Sequence, residues 1–337
     1  MGVFIIGEAG VNHNGDINLA KKLIDIAIEA KVDAVKFQTF KTEKIVGKFA
    51  KKADYQNENT NTNENQYDMV KKLELSFDEF KELKKYCDER NIIFISTPDD
   101  TDSVDLLAKM NVPCIKIGST EVTNLEYLKY IAKKNIPIIL STGMSTLGEV
   151  EKALDAIYST GNRNVKLLHA TTDYPTKEED VNLNAMLTTK EAFKVEVGYS
   201  DHTLGNEAAV AAVAMGAKVI EKHFTIDKNM DGPDHKASME PEELKEFVKA
   251  IRKTEKLLGN GIKSPTEREK SMMNDIRRSI VAGKDLKKGT VLTRNILEFK
   301  RPGTGLKPEF IELIVGRKIN RNIQEDELIK LEDLDFI

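Results

Sequence analysis

Tryptophan is absent from this 337-residue sequence and cysteine occurs only twice. Cys87 sits in a charged helical pattern and Cys114 in an apolar strand pattern, so the pair offers neither metal-ligand spacing nor a disulfide framework. Both read as buried or incidental thiols of a reduced compartment. No apolar run is long enough to span a bilayer. The first residues lead directly into VFII, without the basic start and cleavage site of a secretory signal, and a cytoplasmic location is expected. An excess of one charge is also missing: 51 Lys and Arg face 55 Asp and Glu, intermixed, for a net charge of -4 at pH 7. Neither a nucleic-acid nor a membrane partner is called for.

What the chain does have is a recurrent short strand. Apolar or β-branched runs occur at Val3–Ile6, Ala34–Phe37, Ile92–Ile95, Cys114–Ile117, Pro137–Leu140, Val165–Leu168, Val195–Tyr199 and Lys218–Ile220. Amphipathic helical patterns such as Ile17–Ala30, Phe77–Arg90, Leu147–Thr160 and Glu240–Leu258 fall between them, as parallel βαβ units require. Eight such units predict a closed (β/α)₈ barrel over residues 1–262. An open doubly wound sheet would carry a Gly-rich phosphate turn after its first strand, where this chain has EAGVNHNG. The connection from Thr39 to Ser76 is long, polar and Asn-rich, and reads as a lid or a solvated insertion. Residues 263–278 are turn-prone and charged and read as a linker. Residues 279–337 form a small mixed domain of a size that tends to need a partner surface.

Barrel enzymes place their chemistry at the C-terminal ends of the strands. Those ends carry Glu8, Lys36 and Gln38, Ser96 and Thr97, Lys116 with Ser119 and Glu121, Ser141, His169 followed by Tyr174, Ser200-Asp201-His202, and Glu221 with His223. Two lysines, three serines and an amide converging there (Lys36, Gln38, Lys116, Ser119, Ser141 and Ser200) make a cradle for a multiply charged phosphate or carboxylate. His169, His202 and His223 fall at the ends of consecutive strands. Two imidazoles with open positions suit Mn²⁺, Co²⁺ or Zn²⁺, and serve equally as acid/base groups.

With these residues in place the sequence resembles the sialic acid synthase family over essentially its whole length. The segments that carry the resemblance are GEAGVNHNG, VKFQTF, FISTP, IKIGSTE, ILSTGM, LLHATTDYP, VGYSDHTLG, IEKHFT, GPDHKASMEP and FKRPGTG. The resemblance implies a TIM barrel followed by a C-terminal antifreeze-like (SAF) domain, in a domain-swapped homodimer. It implies condensation of phosphoenolpyruvate with an N-acetylated mannosamine-type sugar. His202 and His223 would hold a divalent metal, Mn²⁺ in first place with Mg²⁺ or Co²⁺ as alternatives. Lys36, Lys116, Ser119, Ser141 and Ser200 would hold phosphoenolpyruvate, with Lys116, Glu8 and Glu121 taken as catalytic. Gln38, Tyr174 and Asp234 would face the sugar, and Arg301 would reach its N-acetyl group from the partner subunit.

Three positions depart from the family pattern: Asp99 where Phe is common, Thr120 for Gly, and Ala170 for Cys. Asp99, Asp173 and the polar 39–76 connection offer acceptors for sugar hydroxyls. On that ground N-acetylmannosamine, giving N-acetylneuraminic acid, is the first expectation. The alternative is 2,4-diacetamido-2,4,6-trideoxymannose, on the route to a legionaminic acid. Two more distant readings are a Schiff-base aldolase running on Lys36 or Lys116 and a non-catalytic carbohydrate-binding protein.

Overall fold

The computed structural model describes residues 2–52 and 64–335. The chain divides into two compact units, Met1–Gly259 and Asn260–Ile337.

The first unit is built on eight parallel strands: β1 (Phe4–Gly10), β2 (Ala34–Thr39), β3 (Ile93–Pro98), β4 (Ile115–Ile117), β5 (Ile138–Ser141), β6 (Val165–Ala170), β7 (Glu196–Asp201) and β8 (Val219–His223). Each is nearly continuous in buried residues, because a parallel strand inside a ring of helices has no solvent face. The hydrogen-bonded order is β3-β2-β1-β8-β7-β6-β5-β4. β3 and β4 lie against each other without a ladder and close the ring. The period-2 rule then sorts the interior into layers. Ile6, Ala34, Ile95, Ile139, Leu168 and Val219 form an apolar layer, with Phe4 and Cys114 packed against it. Two residues further along the same strands stand Glu8, Lys36, Thr97, Ser141, Ala170 and Glu221, so the next layer up is polar except at Ala170. Gly198 fits where a Cβ would lie 2.2 Å from the Val219 carbonyl oxygen and 2.7 Å from Leu168 Cδ2.

Most of the helices outside pack an apolar face on the strands, and several start at side-chain caps. Asp16 accepts from Asn18 N at the head of Ile17–Ala30. Ser76 with Glu79, and Thr146 with Glu149, form capping boxes before Phe77–Glu89 and Leu147–Tyr158. The 39–76 connection is less irregular than its composition predicts: Thr42–Ile45 and Gln66–Lys72 are helical. Its Asn-rich middle lies outside the described residues.

The second unit has its own core, which includes Ile280, Leu292, Ile314, Ile319, Ile323 and Ile329, around the antiparallel pair β9 (Ser279–Ala282) and β10 (Leu297–Lys300). Residues 263–278, expected as a linker, contain the helix Glu267–Ile276. Its Thr266–Glu269 capping box starts it, and its short apolar stripe of Met272, Met273 and Ile276 is set in so charged a segment that the segment read as a linker. Among the described residues no helix is long and apolar enough to cross a membrane.

Candidate active site

The polar layer opens into a cavity of about 870 Å³ at the C-terminal end of the barrel. Of the thirteen residues picked out from sequence, twelve line it: Glu8, Lys36, Gln38, Lys116, Ser119, Glu121, Ser141, Tyr174, Ser200, His202, His223 and Asp234. Arg301 does not; it lies exposed in the second unit, just after β10.

At the floor is a buried charge network. Lys36 Nζ lies 2.8 Å from Glu8 Oε1 and 3.8 Å from Glu221 Oε1, and donates to Thr97 Oγ1 at 3.1 Å. Lys116 Nζ lies 3.7 Å from the same Glu221 oxygen and donates to Ser141 Oγ at 2.7 Å. Ser200 Oγ donates to Glu221 Oε1 at 3.1 Å. Glu221 thus stands between both lysines, and the anion cradle of lysines, serines and an amide is charge-balanced from within. Sequence reasoning placed Glu221 on the face of His223 but gave it no role. The signal was available, because two lysines buried in a barrel require carboxylates as counter-charges.

Burial and charge move these groups apart. Burial raises the Glu8 carboxyl to about 7, against the pull of Lys36 and with the help of the Glu221 charge. Lys36, although burial opposes its charge, is held above the usual ammonium range by Glu221 and Glu8. Burial lowers Lys116 to about 8. Glu221 stays below the carboxylate range because Lys116 and Lys36 outweigh its burial. Burial also pushes Asp99 up to about 7 and Asp234 to about 6. A site with acids and bases displaced toward neutrality is equipped for proton transfer.

On the β6–β8 side the His202 and His223 rings lie 5.5 Å apart, with Tyr174 4.2 Å from His202 and edge-on to His223. Burial lowers both histidines, which leaves them neutral at physiological pH and able to act as ligands. His202 Nδ1 meets the Thr171 carbonyl oxygen at 2.6 Å, which fixes it as the donor and leaves Nε2 as the acceptor. Three buried atoms around the same space have no hydrogen-bond partner: His223 Nδ1, Glu8 Oε2 and Glu221 Oε2. His223 Nδ1 and Glu221 Oε2 are acceptors of the kind a divalent cation takes, while Glu8 Oε2, on a carboxyl raised to about 7, is placed to carry a proton. No group of three or more His, Cys, Asp or Glu among the described residues is arranged to hold a metal alone. Water and substrate oxygens would therefore complete any coordination sphere.

Other polar residues are structural. His169 Nε2 bonds the Val181 carbonyl oxygen at 2.7 Å and stacks on Tyr199, away from the cavity. His235 bonds Thr225 and Asn14, and His13 accepts from Gly15 N. Asp173 is exposed and does not line the cavity, whereas Asp99 does. Burial pushes both cysteine thiols up to about 12, so neither is a nucleophile.

Comparison with known proteins gives two family matches: the NeuB family over residues 23–263 and the SAF domain over residues 277–335. N,N'-diacetyllegionaminic acid synthase of Campylobacter jejuni is 52% identical over 97% of this chain and 98% of its own length. The protein of the same name from Legionella pneumophila is 46% identical over 96% of this chain and 92% of its own. Among solved structures, an N-acetylneuraminic acid (sialic acid) synthetase of Leptospira borgpetersenii in complex with citrate aligns with a TM-score of 0.70. It is 36% identical and covers 80% of this chain and 90% of its own.

Proposed function

The chain belongs to the NeuB family, and from that premise we propose that it condenses phosphoenolpyruvate with 2,4-diacetamido-2,4,6-trideoxymannose and water, giving N,N'-diacetyllegionaminic acid and phosphate. The observation that carries the reaction class is the barrel-mouth cluster, in which Lys36, Lys116 and three serines adjoin two neutral imidazoles. The choice of sugar departs from the first expectation of N-acetylmannosamine. The 52% and 46% identical relatives carry the diacetyllegionaminic name, while the 36% identical structure carries the sialic acid one.

Lys116 and Lys36 would neutralise the phosphate and carboxylate of phosphoenolpyruvate, with Ser119, Ser141 and Ser200 as hydroxyl donors. C3 of the enol phosphate forms the new C–C bond to the aldehyde carbon, and the aldehyde oxygen takes up a proton. Glu8, with its carboxyl near 7, is the donor at hand for that oxygen. Water adds at C2 and gives up a proton, for which Glu121, held by Asn124 Nδ2 at 2.8 Å, is the acceptor. The tetrahedral species breaks the bond from C2 to the bridging oxygen while its C2 hydroxyl becomes the ketone and passes its proton to the departing phosphate, which the lysines stabilise. Gln38, Tyr174 and Asp234 would bound the sugar, and Arg301 would complete the pocket of a partner subunit. His202 and His223 would hold a divalent cation, Mn²⁺ before Mg²⁺ or Co²⁺, which when bound polarises the aldehyde oxygen.

The test is phosphate release from phosphoenolpyruvate with a panel of sugars, with and without EDTA. Release should require both the sugar and the metal, and no release with any N-acetylated mannosamine-type sugar would overturn the proposal. Lys116, lowered to about 8, keeps a Schiff-base aldolase in view. Borohydride with pyruvate should leave the protein unmodified, whereas trapping on Lys116 would favour the aldolase.

A further inference from the structure

The cavity has two chemically different sides. Toward β4, β5 and β7 it presents Lys116, Ser141 and Ser200. Beyond the ends of β1 and β2 the lining is largely apolar, with Gln38, Lys44 and Gln66 as its polar members. Val11, Phe40 and Leu73 form a small cluster of their own, apart from the barrel core, with Ile45 and Val70 packed against it; all five, with Met69, face the cavity. In an eight-membered ring β1 stands across from β5, so this wall lies across the cavity from Ser141.

An anion seated at the cavity floor on Lys116, Lys36 and Ser141 leaves the wall beyond the strand ends to the other substrate. None of these six side chains offers a hydrogen-bond donor, and only Met has even a weak acceptor. A hydroxyl pressed against them would lose its water and gain no replacement, whereas a methyl group loses nothing. Resting on the proposed function, we infer that this wall is the specificity element for the sugar, taking the methyl-bearing face of a 6-deoxy, N-acetylated substrate. Apolar contact limits how strongly the hydroxylated sugar is refused, to about a hundredfold, because an apolar pocket rejects an added hydroxyl only that well.

The test replaces the two half-buried members by hydroxyl residues, Val70→Thr, which keeps the shape, and Ile45→Thr, which is one carbon shorter, leaving Val11, Phe40 and Leu73 to hold the cluster. kcat/KM is measured for the 6-deoxy diacetamido sugar and for N-acetylmannosamine. The preference for the deoxy sugar should fall about tenfold, through its KM, with the KM for phosphoenolpyruvate unmoved. An Ile45→Val, Val70→Ile protein should keep the preference. An unchanged ratio, or an equal loss for both sugars, overturns the wall as a specificity element and leaves the proposed function standing. Absence of phosphate release by the unaltered protein with either sugar overturns the proposed function, and this inference with it.

Discussion

At the scale of single residues, the site is a set of opposed charges held out of water. Lys116 is the member best placed to report on it, since in the free protein it gives up its proton at about 8. A bound anion favours the charged form, so binding is strongest below that pH and weakens as pH rises through it. The KM for phosphoenolpyruvate should therefore climb about tenfold per pH unit above that point, and Lys116→Met should abolish that dependence while raising KM at all pH values. His202→Ala and His223→Ala should each lower turnover by at least about a hundredfold and reduce bound metal in elemental analysis. Their unfolding midpoints should stay near that of the parent, because strand-tip ligands add little to the core. Full activity of either variant in metal-free buffer would refute the assignment. Lysines, serines and histidines were legible in the sequence because polar residues closing apolar strands are conspicuous. Glu221 was passed over: two buried lysines call for a carboxylate, but only the fold shows that it is the β8 carboxylate that both reach, from β2 and β4.

At the scale of elements, the strands were legible for a physical reason: a parallel barrel strand is buried on both sides and reads as an uninterrupted apolar run. The helix Glu207–Ala214 was harder to read, since EAAVAAVA is apolar all round and shows no amphipathic stripe. Adjacent to the two histidines, β7 and β8 are joined by a pair the sequence did not announce. Lys222 Nζ lies 2.8 Å from Asp201 Oδ2, both side chains almost wholly buried, and Asp201 also accepts from Thr203 N and Oγ1. This pair points outward from the barrel while His202 and His223 point inward, so it pins the strand tips that carry them. Lys222→Met leaves the carboxylate buried without its partner and should cost about 3–5 kcal/mol. Denaturant unfolding should show that loss, and adding Asp201→Asn should recover part of it. Equal stability of Lys222→Met and the parent would show that the pair does not hold the strands.

At the scale of the whole molecule, the polypeptide is two compact units with separate cores. The one site residue outside the barrel cavity is Arg301, and its assignment to a partner's pocket comes from the family resemblance. Arg301→Ala and His202→Ala proteins should each be nearly inactive, yet mixed under conditions of subunit exchange they should regain activity. In the hybrid, one pocket receives both an intact barrel and an intact arginine. Failure to regain activity after demonstrated exchange would rule out the swapped arrangement.

The claim on which all of this rests is that the barrel mouth joins an enol phosphate to a sugar with cleavage of the C2–O bond. The most direct measurement follows the bridging oxygen of phosphoenolpyruvate, labelled with its heavy isotope, during turnover with the diacetamido sugar. The label should leave in the inorganic phosphate, one phosphate for each keto acid formed, and only when sugar is present. Unlabelled phosphate, or phosphate released without sugar, would contradict it.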